Sequence, residues 1–126
     1  MAKSVLTWKY RRSLVDNAKT PAETLKKVGR ELMSQGYLAE SAEFFRKAED
    51  QAGLTDLLSQ AVAEGDFFLY SLARQFLRLE PQEPELRRLA EVAEAAGLFL
   101  SQKRALDLLD SLQVGPTGPD LSPNSN

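Results

Sequence analysis

Apolar residues recur every three or four positions along most of the chain, and glycines and prolines separate the apolar stretches. This spacing puts apolar side chains on one face of a helix, and glycine commonly follows a helix's last turn. Such stretches end at four glycines, Gly36, Gly53, Gly65 and Gly97. The pattern therefore predicts a chain made of helices.

Capping residues and prolines predict where these helices begin. Thr20-Pro21 followed by Glu23 has the form of a capping box, and Asp66 is a good N-cap for a helix that Pro81 would end. Thr55 is expected to begin a short helix that stops at the next glycine. After a first helix within residues 1–19, the predicted helices span about residues 21–35, 37–51, 56–64, 67–80, 84–96 and 98–112.

The first segment, VLTWKYR, fits two structures. Leu6, Trp8 and Tyr10 alternate with polar residues as in a strand, but an isolated strand has no neighbour to pair with. A helix is favoured, with apolar stripes on two sides. We expect this helix to lie along the first hairpin with Trp8 buried and its arginines outward. Packing of the second stripe against another copy, giving a homodimer, is left open.

Three of the glycines divide the later helices into hairpins at intervals of 29 and 32 residues. Such a period is typical of a helical solenoid, in which each hairpin buries its apolar face against the next. The first hairpin resembles the tetratricopeptide repeat at Leu25, Val28-Gly29, Leu32, Gly36, Ala42, Phe45 and Ala48. The third hairpin matches at fewer positions and the second at fewer still.

The resemblance implies an all-α fold, a right-handed array of antiparallel helical hairpins with about seven helices. Phe45 would fill the space between paired helices, where Gly29 and Ala48 allow close approach. Phe44, about 100° further round the helix, is expected to face the next hairpin. The domains are then a basic, aromatic helix at 1–19, three hairpins at 20–112, and a tail at 113–126 whose Pro, Gly, Ser and Asn predict disorder.

The resemblance also implies a non-enzymatic scaffold, because this family presents a concave surface lined by the first helix of each hairpin. The family's concave positions correspond here to Lys26, Arg30, Met33, Thr55, Ser59, Val62, Arg87, Glu91 and Glu94. The predicted partner-binding residues are Lys26, Arg30, Met33, Ser59 and Arg87, with Trp8, Arg11 and Arg12 on the first helix. An acidic partner, or a peptide with a free C-terminal carboxylate, would meet Lys26 and Arg30.

The apolar residues of the two later helices raise separate questions. Between Phe67 and Leu79 they go most of the way round the helix, which predicts a buried central helix or, alternatively, a patch for a partner. In the last helix Phe99, Leu106 and most other apolar residues fall on one half, and only Leu100 is misplaced. The polar half suits the end of the array.

The chain has no cysteine and no histidine, so thiolate nucleophiles, imidazole bases and the usual zinc ligands are absent. Asp107 and Asp110 share a helix face, but a solvated surface explains them. We therefore expect no enzyme activity, cofactor or metal.

Charge and hydropathy leave one rival function. Residues 1–47 carry a net charge of +5 and residues 48–126 a net charge of −7. Binding to nucleic acid or another anionic surface through Lys3, Lys9, Arg11, Arg12 and Lys19 is the alternative, although the acidic half would repel phosphate. No apolar run reaches the length of a membrane span or a secretory signal, so we expect a cytoplasmic protein.

Overall fold

The computed structural model describes residues 7–114 and shows, within that range, seven α-helices and no strand. This confirms the all-α fold class. Lys3 and nearly all of the predicted tail lie outside the described residues. The helices are α1 (Trp8–Asp16), α2 (Ala22–Ser34), α3 (Leu38–Lys47), α4 (Gln51–Glu64), α5 (Phe67–Leu77), α6 (Glu83–Ala95) and α7 (Phe99–Val114).

Helices that are neighbours in sequence form the closest pairs, α2 with α3, α4 with α5, and α6 with α7. Further contacts join α4 to α6, α3 to α5, and α5 to α7, while α1 packs on α3. The first helices of the hairpins therefore form one row, and the second helices form another. This packing agrees with the expected array of hairpins, and its right-handed sense stays a prediction.

The three hairpin turns share one backbone conformation. Gly36, Gly65 and Gly97 have φ angles of +89°, +70° and +75°, which side-chain-bearing residues rarely adopt. The N–H of the next residue then donates to the carbonyl five positions earlier, as from Asp66 to Ala61 at 2.9 Å. This hydrogen bond satisfies a carbonyl at the end of the helix and reverses the chain. The predicted helix ends at these three glycines are confirmed.

Four predicted helix boundaries are wrong. Gly53 and Thr55, the expected end of one helix and start of the next, both lie inside α4, because Asp50 caps that helix by accepting a hydrogen bond from the Gly53 N–H at 3.1 Å. The Thr20 hydroxyl donates to the Leu14 carbonyl instead of capping α2. Helix α5 ends before Pro81, at Arg78, whose left-handed φ of +59° stops it.

The Phe45 ring fills the joint between the first two hairpins. It is fully buried, and a methyl group at Gly29 or Gly53 would lie 2.6 Å or 2.7 Å from a ring carbon. The ring therefore lies between α2 and α4, in space that two glycines leave free. The expectation for Phe44 is wrong, since Phe44 packs with Val15 of α1 and with residues of α2.

The hairpin turns give the first testable prediction. A methyl group at Gly65 would lie 2.6 Å from the Ala93 nitrogen of α6, whereas nothing lies within 4 Å of one at Gly36. Gly36→Ala is therefore expected to cost about 1–2 kcal/mol from backbone strain alone. Gly65→Ala should cost about 1–3 kcal/mol more, because backbone must also shift. Urea denaturation measures both, and equal losses would contradict the close approach of the α4–α5 turn to α6.

The Phe45 joint gives the second prediction. Phe45→Ala should lower the free energy of unfolding by about 3–5 kcal/mol. Gly53→Ala should also destabilise, by about 1–3 kcal/mol, although alanine is ordinarily the better helix former. The Gly53→Ala loss should shrink in a Phe45→Leu background, which a double-mutant cycle tests. If the two losses simply add, the ring does not fill this space. Ala52→Gly at the exposed neighbouring position is the control for helix propensity.

Candidate interaction surfaces

The predicted cations on the first helices are already paired within the chain. Arg30 binds Asp56 of α4 at 2.7 Å, Arg87 binds Glu83, and Lys26 lies 3.8 Å from Glu23. The other predicted contacts on this face, Met33 and Ser59, are half-buried and exposed. The face formed by α2, α4 and α6 is thus polar, and its three predicted cations lie beside carboxylates of the same chain.

Helix α1 has the opposite orientation to the one expected. Trp8 is 65% exposed, whereas Arg11 is buried and binds Glu40 of α3 through two hydrogen bonds of 2.6 Å and 3.1 Å. Arg12 binds Glu43 at 2.8 Å and Asp16 at 3.1 Å. The physical reason is that α3 presents two carboxylates toward α1, so the arginines turn inward.

These ion pairs also change the arginines' acid–base properties. The hydrogen bond to Glu40 raises the pKa of Arg11, and burial opposes it less strongly. The hydrogen bond to Glu43 raises the pKa of Arg12 in the same way. Both guanidinium groups therefore stay charged and hydrogen-bonded to carboxylates of α3.

A groove lies over α3 between α1 and α5, and we call it the α1–α5 groove. Its volume is about 510 Å³. Phe68 is 70% exposed, and Leu72 and Phe76 are half-buried, so the prediction of a buried central helix is wrong for this side of α5. The alternative, an apolar patch, describes it better. The lining residues are Trp8, Arg12, Ala39, Glu40, Glu43, Phe68, Leu72 and Phe76.

A second depression, the α5–α7 cleft, has a volume of about 820 Å³ and shares Phe68 with the groove. Phe99 and Leu100 are 70% and 67% exposed beside it. The expectation that Phe99 lies on the buried half of α7 is wrong, because Ser101 faces the α4–α5 turn instead. The lining residues are Glu64, Gly65, Asp66, Phe67, Phe68, Ser71, Leu98, Phe99, Leu100, Ser101 and Arg104.

Ser101 fixes the floor of this cleft. Its hydroxyl accepts a hydrogen bond from the Phe67 N–H at 2.8 Å and donates one to the Gly65 carbonyl. The start of α7 is thereby tied to the turn before α5. The aromatic side chains at the two helix starts consequently project on the same side of the array.

A partly buried polar cluster joins α5 to α6. The Tyr70 hydroxyl accepts from the Gln82 N–H at 3.0 Å and donates to Glu85 at 2.8 Å, and Arg74 binds the same carboxylate oxygen. Tyr70 is fully buried, so its hydroxyl has no access to a substrate. The cluster links two helices and holds the second hairpin to the third, and no pattern in the sequence indicated it.

Burial and charge act on the two titratable partners of Glu85. Burial raises the pKa of Tyr70 most, Glu85 raises it further, and the Gln82 N–H opposes them. Burial acts to lower the pKa of Arg74, but the hydrogen bond and charge of Glu85 outweigh it, and the pKa is raised. Both groups are therefore held in their protonated forms.

Residues 7–114 contain no group of three or more acidic residues placed to hold a metal ion. Asp107, one of the two acids considered from the sequence, binds Lys103 at 3.0 Å. In the same range, no helix has both the length and the apolar surface that crossing a bilayer requires.

The raised pKa of Tyr70 gives the third prediction. Above about pH 10 the unfolded chain ionises this tyrosine while the native protein keeps it neutral, so stability should fall as pH rises toward the native pKa. Tyr70→Phe should cost about 1–3 kcal/mol near neutral pH but lose less between about pH 9 and pH 11. Urea denaturation at both pH values is the measurement, with exposed Tyr10→Phe as the control. An unchanged alkaline loss in Tyr70→Phe would contradict the assignment.

Comparison of the chain with protein-family models, with curated proteins and with solved structures gave no significant match. The resemblance of the first hairpin to the tetratricopeptide repeat therefore stays an interpretation of the sequence.

Proposed function

We propose that this protein is a non-enzymatic protein-interaction module that binds an amphipathic helix of a partner protein in the α1–α5 groove. The observation that carries the proposal is the pair of largely exposed aromatic side chains, Trp8 and Phe68, on the two walls of one groove. Contiguous exposed apolar surface of this kind commonly marks an interaction site.

The direction of the helices suits a helical ligand. Arg11 binds near the start of α3, and Lys47 at its end donates to the Val15 carbonyl, so α1 and α3 run in the same direction. The apolar stripe on α5, from Phe68 to Phe76, is about 12 Å long. A partner helix of two to three turns, with apolar residues at i, i+4 and i+7, matches that stripe.

Charge at one end of the groove indicates which partner sequence fits. The Arg46 guanidinium lies 5.1 Å from the centre of the Phe76 ring and has no ion pair with a described residue. Along the walls, in contrast, Arg12 and Glu43 neutralise each other. A partner helix with an acidic residue beyond its last apolar anchor would therefore pair with Arg46.

The two other candidate surfaces support binding less well. On the first-helix face, Arg30 is paired with Asp56 of a neighbouring helix. The nucleic-acid alternative depended on Arg11 and Arg12, and both are bound to α3, which leaves Lys9 and Lys19 as exposed cations of that set in the described residues. The cytoplasmic location expected from the sequence is part of this proposal.

The fourth prediction tests the groove with a library of helical peptides displayed against the full chain. Selected peptides should share apolar residues at i, i+4 and i+7 and an acidic residue at one end. Trp8→Ala should weaken their binding about tenfold or more, because a central aromatic anchor is worth about 2 kcal/mol. Isothermal titration calorimetry measures the change.

Tyr10→Ala is the matched control, because Tyr10 is an exposed aromatic residue of the same helix that does not line the groove. It should change affinity less than about twofold. Peptides that depend on Arg30 but not on Trp8 would place the site on the first-helix face. Failure to select any specific peptide would count against the function itself.

A further inference from the structure

The α5–α7 cleft combines a depression with large apolar side chains that project beside it. The depression measures about 820 Å³, and Phe68, Phe99 and Leu100 are each at least two-thirds exposed. A surface that carries both a depression and exposed apolar side chains able to fill it can bind a second copy of itself. In such an isologous interface the same patch is used on both subunits.

The charges beside the cleft are also complementary to those of a second copy. Glu64 and Arg104 both line it, and neither forms an ion pair with a described residue. Glu64 accepts a hydrogen bond from Gln60 at 2.8 Å, which leaves its charge uncompensated. Asp66, the other carboxylate of the lining, is occupied as the N-cap of α5.

We infer that two copies of this chain form a two-fold symmetric dimer through the α5–α7 cleft. Phe99 and Leu100 of each copy enter the cleft of the other. Two-fold symmetry brings Arg104 of one copy to Glu64 of its partner, and the same contact repeats once. One apolar centre with oppositely charged residues beside it is the usual composition of a specific interface.

A second copy fits these charges better than the other occupants of an apolar cleft. An anionic lipid surface would find two carboxylates and one guanidinium, and would be repelled. A partner of one charge sign would satisfy either Glu64 or Arg104 and leave the other desolvated. The same chain offers both signs on the same patch.

The inference does not depend on the proposed helix-binding groove, although Phe68 lines both surfaces. Trp8 lines that groove but not the cleft, and Arg104 lines the cleft but not the groove. Trp8→Ala should therefore leave self-association unchanged. Arg104→Glu should not weaken peptide binding, because the dimer it dissociates would cover Phe68.

The test is sedimentation equilibrium of the full chain, whose single-copy mass is 14.0 kDa. The unmodified chain should sediment as a dimer. In Arg104→Glu a new carboxylate faces Glu64 of the partner, and in Glu64→Arg a new guanidinium faces Arg104 of the partner. Each variant alone therefore places like charges together, and its dimer dissociation constant should rise at least about tenfold. Both positions are exposed, and circular dichroism confirms that the fold is kept.

Mixing the two variants distinguishes this interface from any other. A dimer of one Arg104→Glu copy and one Glu64→Arg copy has opposite charges at both symmetric contacts, so the mixture should recover the dimer. Leu100→Glu should abolish the association of the otherwise unmodified chain. Added to both charge-reversal variants, it should also prevent their mixture from forming the dimer. Arg88→Glu, the same charge change on an exposed residue of α6, should have no effect.

Three results would overturn the inference. They are a monomeric unmodified chain across the concentration range, a dimer that neither reversal weakens, and two weakened variants that do not recover the dimer on mixing. A monomer that instead binds lipid vesicles through Phe99 would assign the cleft to a membrane surface.

Discussion

The contact of the Phe45 ring with Gly29 and Gly53 sets the distance between the first two hairpins. The ring is fully buried, and each glycine leaves space that a single methyl group would fill. Because the ring lies between α2 and α4, it fixes where α4 and its partner α5 lie relative to α3. The walls and floor of the α1–α5 groove follow from that placement, although the ring itself does not line the groove.

The helices and their turns could be predicted because their causes are local. Gly36, Gly65 and Gly97 each sit at a positive φ that the backbone needs within one turn of the chain. Gly53 has a different role, since it makes room for a ring from another helix. A glycine that serves backbone geometry and a glycine that serves packing look alike in one sequence, and Gly53 was therefore mistaken for a helix end. The resemblance to a known repeat implied the contact of Phe45 with Gly29, but not the contact of Phe45 with Gly53 of the next hairpin.

The candidate sites were harder to predict because they depend on which charges meet across helices. Lys26 and Arg30 have the spacing of a binding surface, but only the folded chain shows Asp56 beside Arg30. Likewise, the two apolar stripes of α1 gave no sign that Glu40 would draw Arg11 inward and leave Trp8 exposed. The sequence features that did point to the candidate surfaces were departures from the regular apolar pattern. Leu100 fell outside the apolar stripe of α7, and α5 has more apolar residues than one buried face can hold.

The way α1 is attached has a consequence for how the groove behaves in solution. Nine residues are too few for a stable helix alone, so α1 is helical only while it is docked on α3. Its attachment includes the Arg11–Glu40 and Arg12–Glu43 ion pairs, one lysine-to-carbonyl hydrogen bond, and the apolar packing of Val15 and the half-buried Leu14. Segments with so few apolar contacts open at lower free energy than the rest of a domain. One wall of the groove, α1, is therefore held partly by ion pairs that added salt weakens. Any ligand that contacts Trp8 also stabilises α1 in its docked, helical state.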